Sequence, residues 1–329
     1  MLARFRAPIA PDRYRAVTLA ALAMLVLIVV TGAGVRLTGS GLGCTDWPNC
    51  TDERFVAPME LHPMVEFVNR LVTGLVSVAV ALAVLGSLRL APRRRDLTWL
   101  SVGLVAGVIA QILVGRVVVV SDLNPWWVQM HMVVSLVLVW NAAVLHHRAG
   151  LPADAERRPV VTPALHRWGW ATVLLATAVL ATGTLVTGSG PHSGHNEEDV
   201  TAIRRLPIAV HDAARIHGVV VMVFLAATVW VLVQVRRHHG VGPLLRAAES
   251  LTTVVVLQAV VGYAQYFSDV PPLLVAVHIL GSCLVWVATL NLLLRMRAPL
   301  PALAEEAPPT RSWGGELDAD AVAGGDVLA

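Results

Sequence analysis

Three histidines stand out, because each lies a few residues inside an apolar stretch long enough to cross a bilayer. His131, His217 and His278 fall on three different stretches. An imidazole at membrane depth is costly to place and usually has a task. No two of them share one helix at metal-site spacing. Imidazoles presented by separate helices suit the two axial positions of a porphyrin iron; the alternative for each is a hydrogen-bonded core histidine. Ligation is favoured by an internal repeat. QILVGRVVVVSDLNPWWVQMHMVVSLVLVW, from Gln111, aligns without a gap on QAVVGYAQYFSDVPPLLVAVHILGSCLVWV, from Gln258, at a constant offset of 147. Gly115 falls on Gly262, Ser121-Asp122 on Ser268-Asp269, Pro125 on Pro272, His131 on His278 and Ser135 on Ser282. His217, in HDAARIHGVVV, is expected at the depth of His278.

A second group opens the stretch that begins near residue 64. Glu66, Asn69 and Arg70 are spaced i, i+3, i+4 and share one helix face. One reading is an internally satisfied Glu–Arg pair that fixes helix packing. The other is a site wall with a carboxylate and a guanidinium, where the Arg70 fork matches a carboxylate such as a propionate. Cys44 and Cys50 frame CTDWPNC in a polar loop. They form a disulfide if that loop faces an oxidising compartment, and are otherwise two free thiols. Cys283, in an apolar stretch, reads as a packing residue. His211, Asp212 and Arg215 form either a surface ion-pair cluster or a propionate and proton route. His192 and His195 are expected in solvent, and the pairs His146-His147 and His238-His239 as ordinary helix-end caps.

The elements that carry these residues follow from composition. The chain has 329 residues, 56% hydrophobic and 14% charged, with mean hydropathy +0.67. A soluble domain carries roughly 25% charge, so this is a polytopic membrane protein, and no nucleic-acid partner is expected. Eight apolar stretches reach spanning length: about 15–36, 64–88, 98–120, 127–147, 168–188, 208–235, 249–267 and 273–294. The first resembles a signal peptide, but its long apolar run lacks a cleavage site and it reads as a helix. All 25 basic residues are arginine. They crowd the connections that hold Arg93-Arg94-Arg95, Arg148, Arg157-Arg158 and Arg236-Arg237, and the positive-inside rule makes both termini cytoplasmic. The loops at 37–62 and 189–207 are then external, with the histidine sites towards that side. The repeat predicts two pseudo-two-fold-related four-helix bundles, 1–150 and 151–297, followed by a disordered cytoplasmic tail at 298–329. The first helices also agree, TGAGVRLTGSG (31–41) with TGTLVTGSG (182–190).

The segment TGxxVRLTGSGLGCTDWPNC (31–50), the EFVNRLVTG start of the second helix (66–74) and the repeat carrying His131, His217 and His278 together resemble the haem A synthases. These are membrane enzymes that convert haem O to haem A for cytochrome oxidase, and the resemblance covers about 15–297. It implies eight helices in two bundles in the cell membrane. It also implies haem b held by His217 and His278, and a substrate site for haem O in the first half with His131 on the iron. Glu66 would act at the methyl carbon, Arg70 would support Glu66 or a propionate, and the loop with Cys44 and Cys50 would cover the site or meet the haem O synthase. Cytochrome oxidase assembly machinery and an electron acceptor that the sequence does not name are further implied partners; a homo-oligomer is left open. The chain departs from the family twice. Asn69 stands where the E-x-x-H-R motif carries a histidine, which leaves the substrate iron five-coordinate, weakly capped or water-bound. The second external loop lacks the cysteine pair of some members. Two other functions stay open: a b-type cytochrome relaying electrons from quinol, and a haem carrier without chemistry.

Overall fold

The computed structural model describes residues 8–153, 156–195, 203–239 and 242–299. Most of the stretch expected as a disordered tail, from residue 300 on, lies outside the described residues. Among the described residues the architecture is all-α, with eight helices: α1 (Pro11–Leu37), α2 (Leu61–Ser87), α3 (Arg95–Val120), α4 (Pro125–Ala149), α5 (Pro163–Ser189), α6 (Val210–His239), α7 (Pro243–Phe267) and α8 (Pro272–Arg295). Each is long and apolar enough to span a membrane. Two three-residue strands, β1 (Arg157–Pro159) and β2 (Arg297–Pro299), pair antiparallel and clip the α4–α5 connection to the segment after α8.

Most helices begin earlier than their apolar windows. Proline opens α1, α4, α5, α7 and α8; its fixed φ suits a first turn, whose N–H groups lack intrahelical partners anyway. Asn124 and Thr162 cap α4 and α5 through their side-chain oxygens. Hydrophobicity alone does not register these polar first turns.

The two Ser-Asp corners have one geometry. Asp122 and Leu123 have φ of 52° and 49°, and Asp269 and Val270 both have 58°. Leu123 N donates to Val118 O and Val270 N to Gln265 O, each at 2.9 Å. A bond that spans five residues closes the helix end, with the following residues in the left-handed region. For a β-branched residue such as Val270 that conformation is uncommon, yet it is made at the same point of both repeats.

In the first half α1 packs on α2 and α4, and α3 on α2 and α4; in the second, α5 packs on α6 and α8, and α7 on α6 and α8. Within each half, then, the second and fourth helices stand across a diagonal. The halves meet through α4 on α8, α1 on α8 and α4 on α5. Trp286 Nε1 donates to Leu136 O at 3.0 Å across that seam. The outward faces carry Leu75, Val78 and Leu82 on α2 and Leu257 and Val260 on α7, all exposed, as lipid contact requires.

Candidate functional site

His217 on α6 and His278 on α8 come together across the second-half diagonal. Their ring centroids are 6.5 Å apart and the planes are 76° to each other. Two imidazoles that share one axial metal, at about 2 Å per metal–nitrogen bond, have ring centres roughly 6 Å apart. Thr182 on α5 fixes one ring. Its hydroxyl donates to Ala178 O (2.8 Å) and Val179 O (3.0 Å), so it accepts from His217 Nδ1 at 3.1 Å. That tautomer leaves the Nε2 lone pair free for a metal. His278 Nδ1 is buried with no hydrogen-bond partner among the described residues; Gln258 Nε2 donates to the His278 carbonyl.

A glycine lies beside each of the three rings, and at the two second-half rings it makes room. A methyl group on Gly183 would meet His217 Cε1 at 3.3 Å, one on Gly262 would meet His278 Cε1 at 3.1 Å, and one on Gly115 would meet His131 Cε1 at 3.5 Å. The shared glycine and glutamine positions make His131 on α4 the counterpart of His278. Gln111 Nε2 donates to the His131 carbonyl (3.2 Å) and to Ser135 Oγ. Among the described residues no group of three or more His, Cys, Asp or Glu could hold a metal ion. Two imidazoles alone suit an iron whose four remaining ligands come from a macrocycle. The residues of the second half therefore fit a haem.

The first-half site is built against its loop. Glu66 is buried. Its Oε1 accepts from Arg70 Nη2 at 2.6 Å and its Oε2 from Cys44 N at 2.9 Å. Arg70 Nη1 reaches the carbonyls of Asp46 (3.1 Å), Pro48 (3.3 Å) and Asn49 (2.9 Å). Both oxygens of the carboxylate and the fork of the guanidinium are thus engaged within the protein. Cys44 and Cys50 form a disulfide, and with Ala57 and Phe67 they make a small buried cluster between loop and helix. Trp47 of the same loop lies under the Arg116 guanidinium, 5.6 Å from the ring centroid. Ser40 Oγ bonds His62 Nδ1 at 3.0 Å, one turn above Glu66. No hydrogen bond or ring contact among the described residues joins His131 to Glu66, Asn69 or Arg70.

One expectation is overturned. His195 is 8% exposed, and its Nδ1 lies 3.2 Å from Ser193 Oγ. His192, half-buried, bonds Val270 O through Nε2 at 2.9 Å. Neither stands in solvent, because Arg36 at the end of α1 pulls this loop down: its Nη2 donates to Thr187 O at 2.7 Å and its Nε to His192 O at 2.5 Å. Gly41 N completes the tie to Gly194 O at 2.9 Å. His211 and Asp212 do form a surface pair, 3.0 Å apart and both exposed.

Sequence reasoning missed Thr31, Thr182, Arg36 and Arg116. The repeat already paired the Thr-Gly steps at 31–32 and 182–183, which was the available signal for the first two. Arg36 and Arg116 act on distant loops, and no local pattern marks them.

Eight spanning helices with a paired-imidazole site in the second half define a polytopic membrane protein suited to binding haem. The family described as cytochrome oxidase assembly protein matches residues 15–64 and 59–290, and the chain belongs to that family. Among curated proteins it is 33% identical over 116 residues to a haem A synthase of Lysinibacillus sphaericus, which covers 34% of this chain and 37% of that one. A haem A synthase of Bacillus cereus is 24% identical over 299 residues, 86% of this chain and 93% of that one. A protoheme IX farnesyltransferase of Thermus thermophilus is 38% identical over 69 residues, 21% of this chain and 11% of that one. The higher-identity matches thus span under two-fifths of the relatives' length.

Proposed function

We propose that this protein is a haem A synthase, which oxidises one porphyrin methyl of haem O to a formyl. The observation that carries the reading is the His217–His278 pair, 6.5 Å apart, in a chain of this family with relatives so named. The net change is a four-electron oxidation. One hydroxylation turns the methyl into a hydroxymethyl, a second gives the gem-diol, and loss of water leaves the formyl. Each hydroxylation takes its oxygen from water and releases two protons and two electrons, the electrons passing to an external one- or two-electron acceptor.

His217 and His278 would hold haem b, which when bound supplies one-electron transfer. In the first half His131, beside Gly115, would take the iron of haem O. Glu66 would offset positive charge at the methyl carbon or accept a proton there. Since both its oxygens are engaged by Arg70 and Cys44, this requires one of the two contacts to open. Arg70, released from the loop carbonyls, has the fork to hold Glu66 or a propionate. The orientation is with both termini cytoplasmic and the sites towards the outside of the cell membrane. A haem O synthase would supply the substrate, consistent with the short match to a protoheme farnesyltransferase.

The test is to supply haem O to purified protein with an electron acceptor and identify the extracted haems by chromatography and mass. Hydroxylated haem or haem A is expected. Haem b alone, with haem O recovered unchanged, would leave a b-type cytochrome or a carrier as the better reading.

A further inference from the structure

The two halves differ at one diagonal position. Thr182 and Thr31 occupy matching Thr-Gly steps of α5 and α1. Thr182 Oγ1 lies 3.1 Å from His217 Nδ1, and Thr31 Oγ1 donates to Asn69 Oδ1 at 2.9 Å. Asn69 therefore holds in α2 the place of His217 in α6. His131 is the counterpart of His278, so Asn69 faces the His131 side as His217 faces His278. The polar atoms of Asn69 are partly spent: Thr31 engages its side-chain oxygen, and Thr73 Oγ1 donates to its backbone carbonyl at 3.2 Å. Its amide NH2 has no acceptor among the described residues, and the residue is only half-buried.

We propose that Asn69 is a hydrogen-bond donor to a small ligand on the open iron position of the substrate haem, oriented by Thr31, and is not itself an iron ligand. This rests on the first half being the haem O site. The nitrogen lone pair of an amide is delocalised into the carbonyl, and only the oxygen has pairs to offer. With that oxygen turned to Thr31, two N–H groups face outward. They match a ligand with lone pairs, such as water, another small oxygen ligand or a halide. An imidazole at this position would fill the coordination site and shut such a ligand out. Thr31 is a positioning residue: it touches no reacting atom but decides which end of the amide is presented.

The test uses the full-length protein loaded with haem O and oxidised to the ferric state, with fluoride as the probe ligand. A bis-imidazole iron in the second half has no open position, so fluoride reports on the first half alone. Wild type is expected to be high-spin there and to bind fluoride. Asn69→Ala should weaken fluoride binding roughly ten- to hundredfold, the loss of one hydrogen bond to a charged acceptor. Thr31→Val should weaken it less, with haem content unchanged. Asn69→His should convert the site to a low-spin bis-imidazole spectrum that fluoride no longer perturbs. Fluoride affinity unchanged in Asn69→Ala overturns the proposal, as does a wild-type iron that is already low-spin and six-coordinate. If wild type takes up no haem O, or takes it up equally after His131→Ala, the substrate-site reading fails first and this proposal with it.

Discussion

The backbone amide of Cys44 donates to Glu66 Oε2 at 2.9 Å, so the disulfide loop closes directly onto the buried carboxylate of α2. The other oxygen of Glu66 is held by Arg70 at 2.6 Å. Glutamine is nearly isosteric and can still accept from Cys44, but it loses the ionic attraction to Arg70 and the ability to take a proton. Glu66→Gln is expected to lower formation of hydroxylated haem and haem A by roughly 10²-fold or more, the ordinary contribution of a positioned acid or base. Haem b content should stay at the wild-type level. Extraction and chromatography of the haems from both proteins checks this; full product yield in the variant would remove Glu66 from the chemistry.

The glycines beside the histidines predict a contrast between the halves. A methyl group on Gly262 would sit 3.1 Å from the His278 ring, and one on Gly115 would sit 3.5 Å from the His131 ring. The first contact requires the imidazole to shift by a few tenths of an ångström; the second is ordinary van der Waals distance. Gly262→Ala should therefore reduce haem b retention and broaden the low-spin spectrum of the purified protein, while Gly115→Ala should leave haem content unchanged. Equal losses in both variants would mean that the rings are not held where these contacts put them.

The eight helices were legible in the sequence because a bilayer imposes a minimum apolar length, and Leu, Val, Ala and Ile meet it without interruption. The repeat was legible because Gln, Ser-Asp, Pro and His recur at one offset, and both corners fold alike. Helix starts were less so. Proline and side-chain caps, not hydrophobicity, set where α5 and α7 begin. The packing of the 190–195 loop was hidden, since its burial comes from Arg36, more than 150 residues away. The engagement of Glu66 by Cys44 was hidden for the same reason: an i, i+4 spacing announces Arg70, but nothing local announces a loop amide.

Removing the Cys44–Cys50 bridge should act locally. A crosslink closing so short a loop restricts the unfolded segment by about 2 kcal/mol. Replacing both cysteines with serine should speed amide exchange of residues 41–60 by roughly 30-fold, at about 1.4 kcal/mol per factor of ten. The lower half of α2, including Val76 and Val80 in the main core, should exchange as in wild type. Protection spread evenly over both regions would show that the loop is held by its other contacts.

Thr182→Val tests the fixed tautomer. The hydroxyl accepts from His217 Nδ1 at 3.1 Å, and groups that orient a ligating histidine typically contribute 10- to 100-fold in affinity for the metal group. Valine keeps the shape and removes the acceptor. Haem b retention should fall about tenfold, and the reduction potential of the low-spin haem should rise as the ligand becomes less basic. A potential identical to wild type would place the proton of His217 on its other nitrogen.

If the two halves hold haem as proposed, Asn69 in the place of a second histidine would give the two groups different residence times. A group gripped by an imidazole on each face departs only when both bonds are broken, so it stays longer. A group gripped on one face departs when a single bond fails. Under the proposed assignment the resident haem b would have the first kind of hold and the substrate haem the second, which would favour release of product. A repeated four-helix figure with unlike residues at one diagonal position would then provide both residence times from one scaffold.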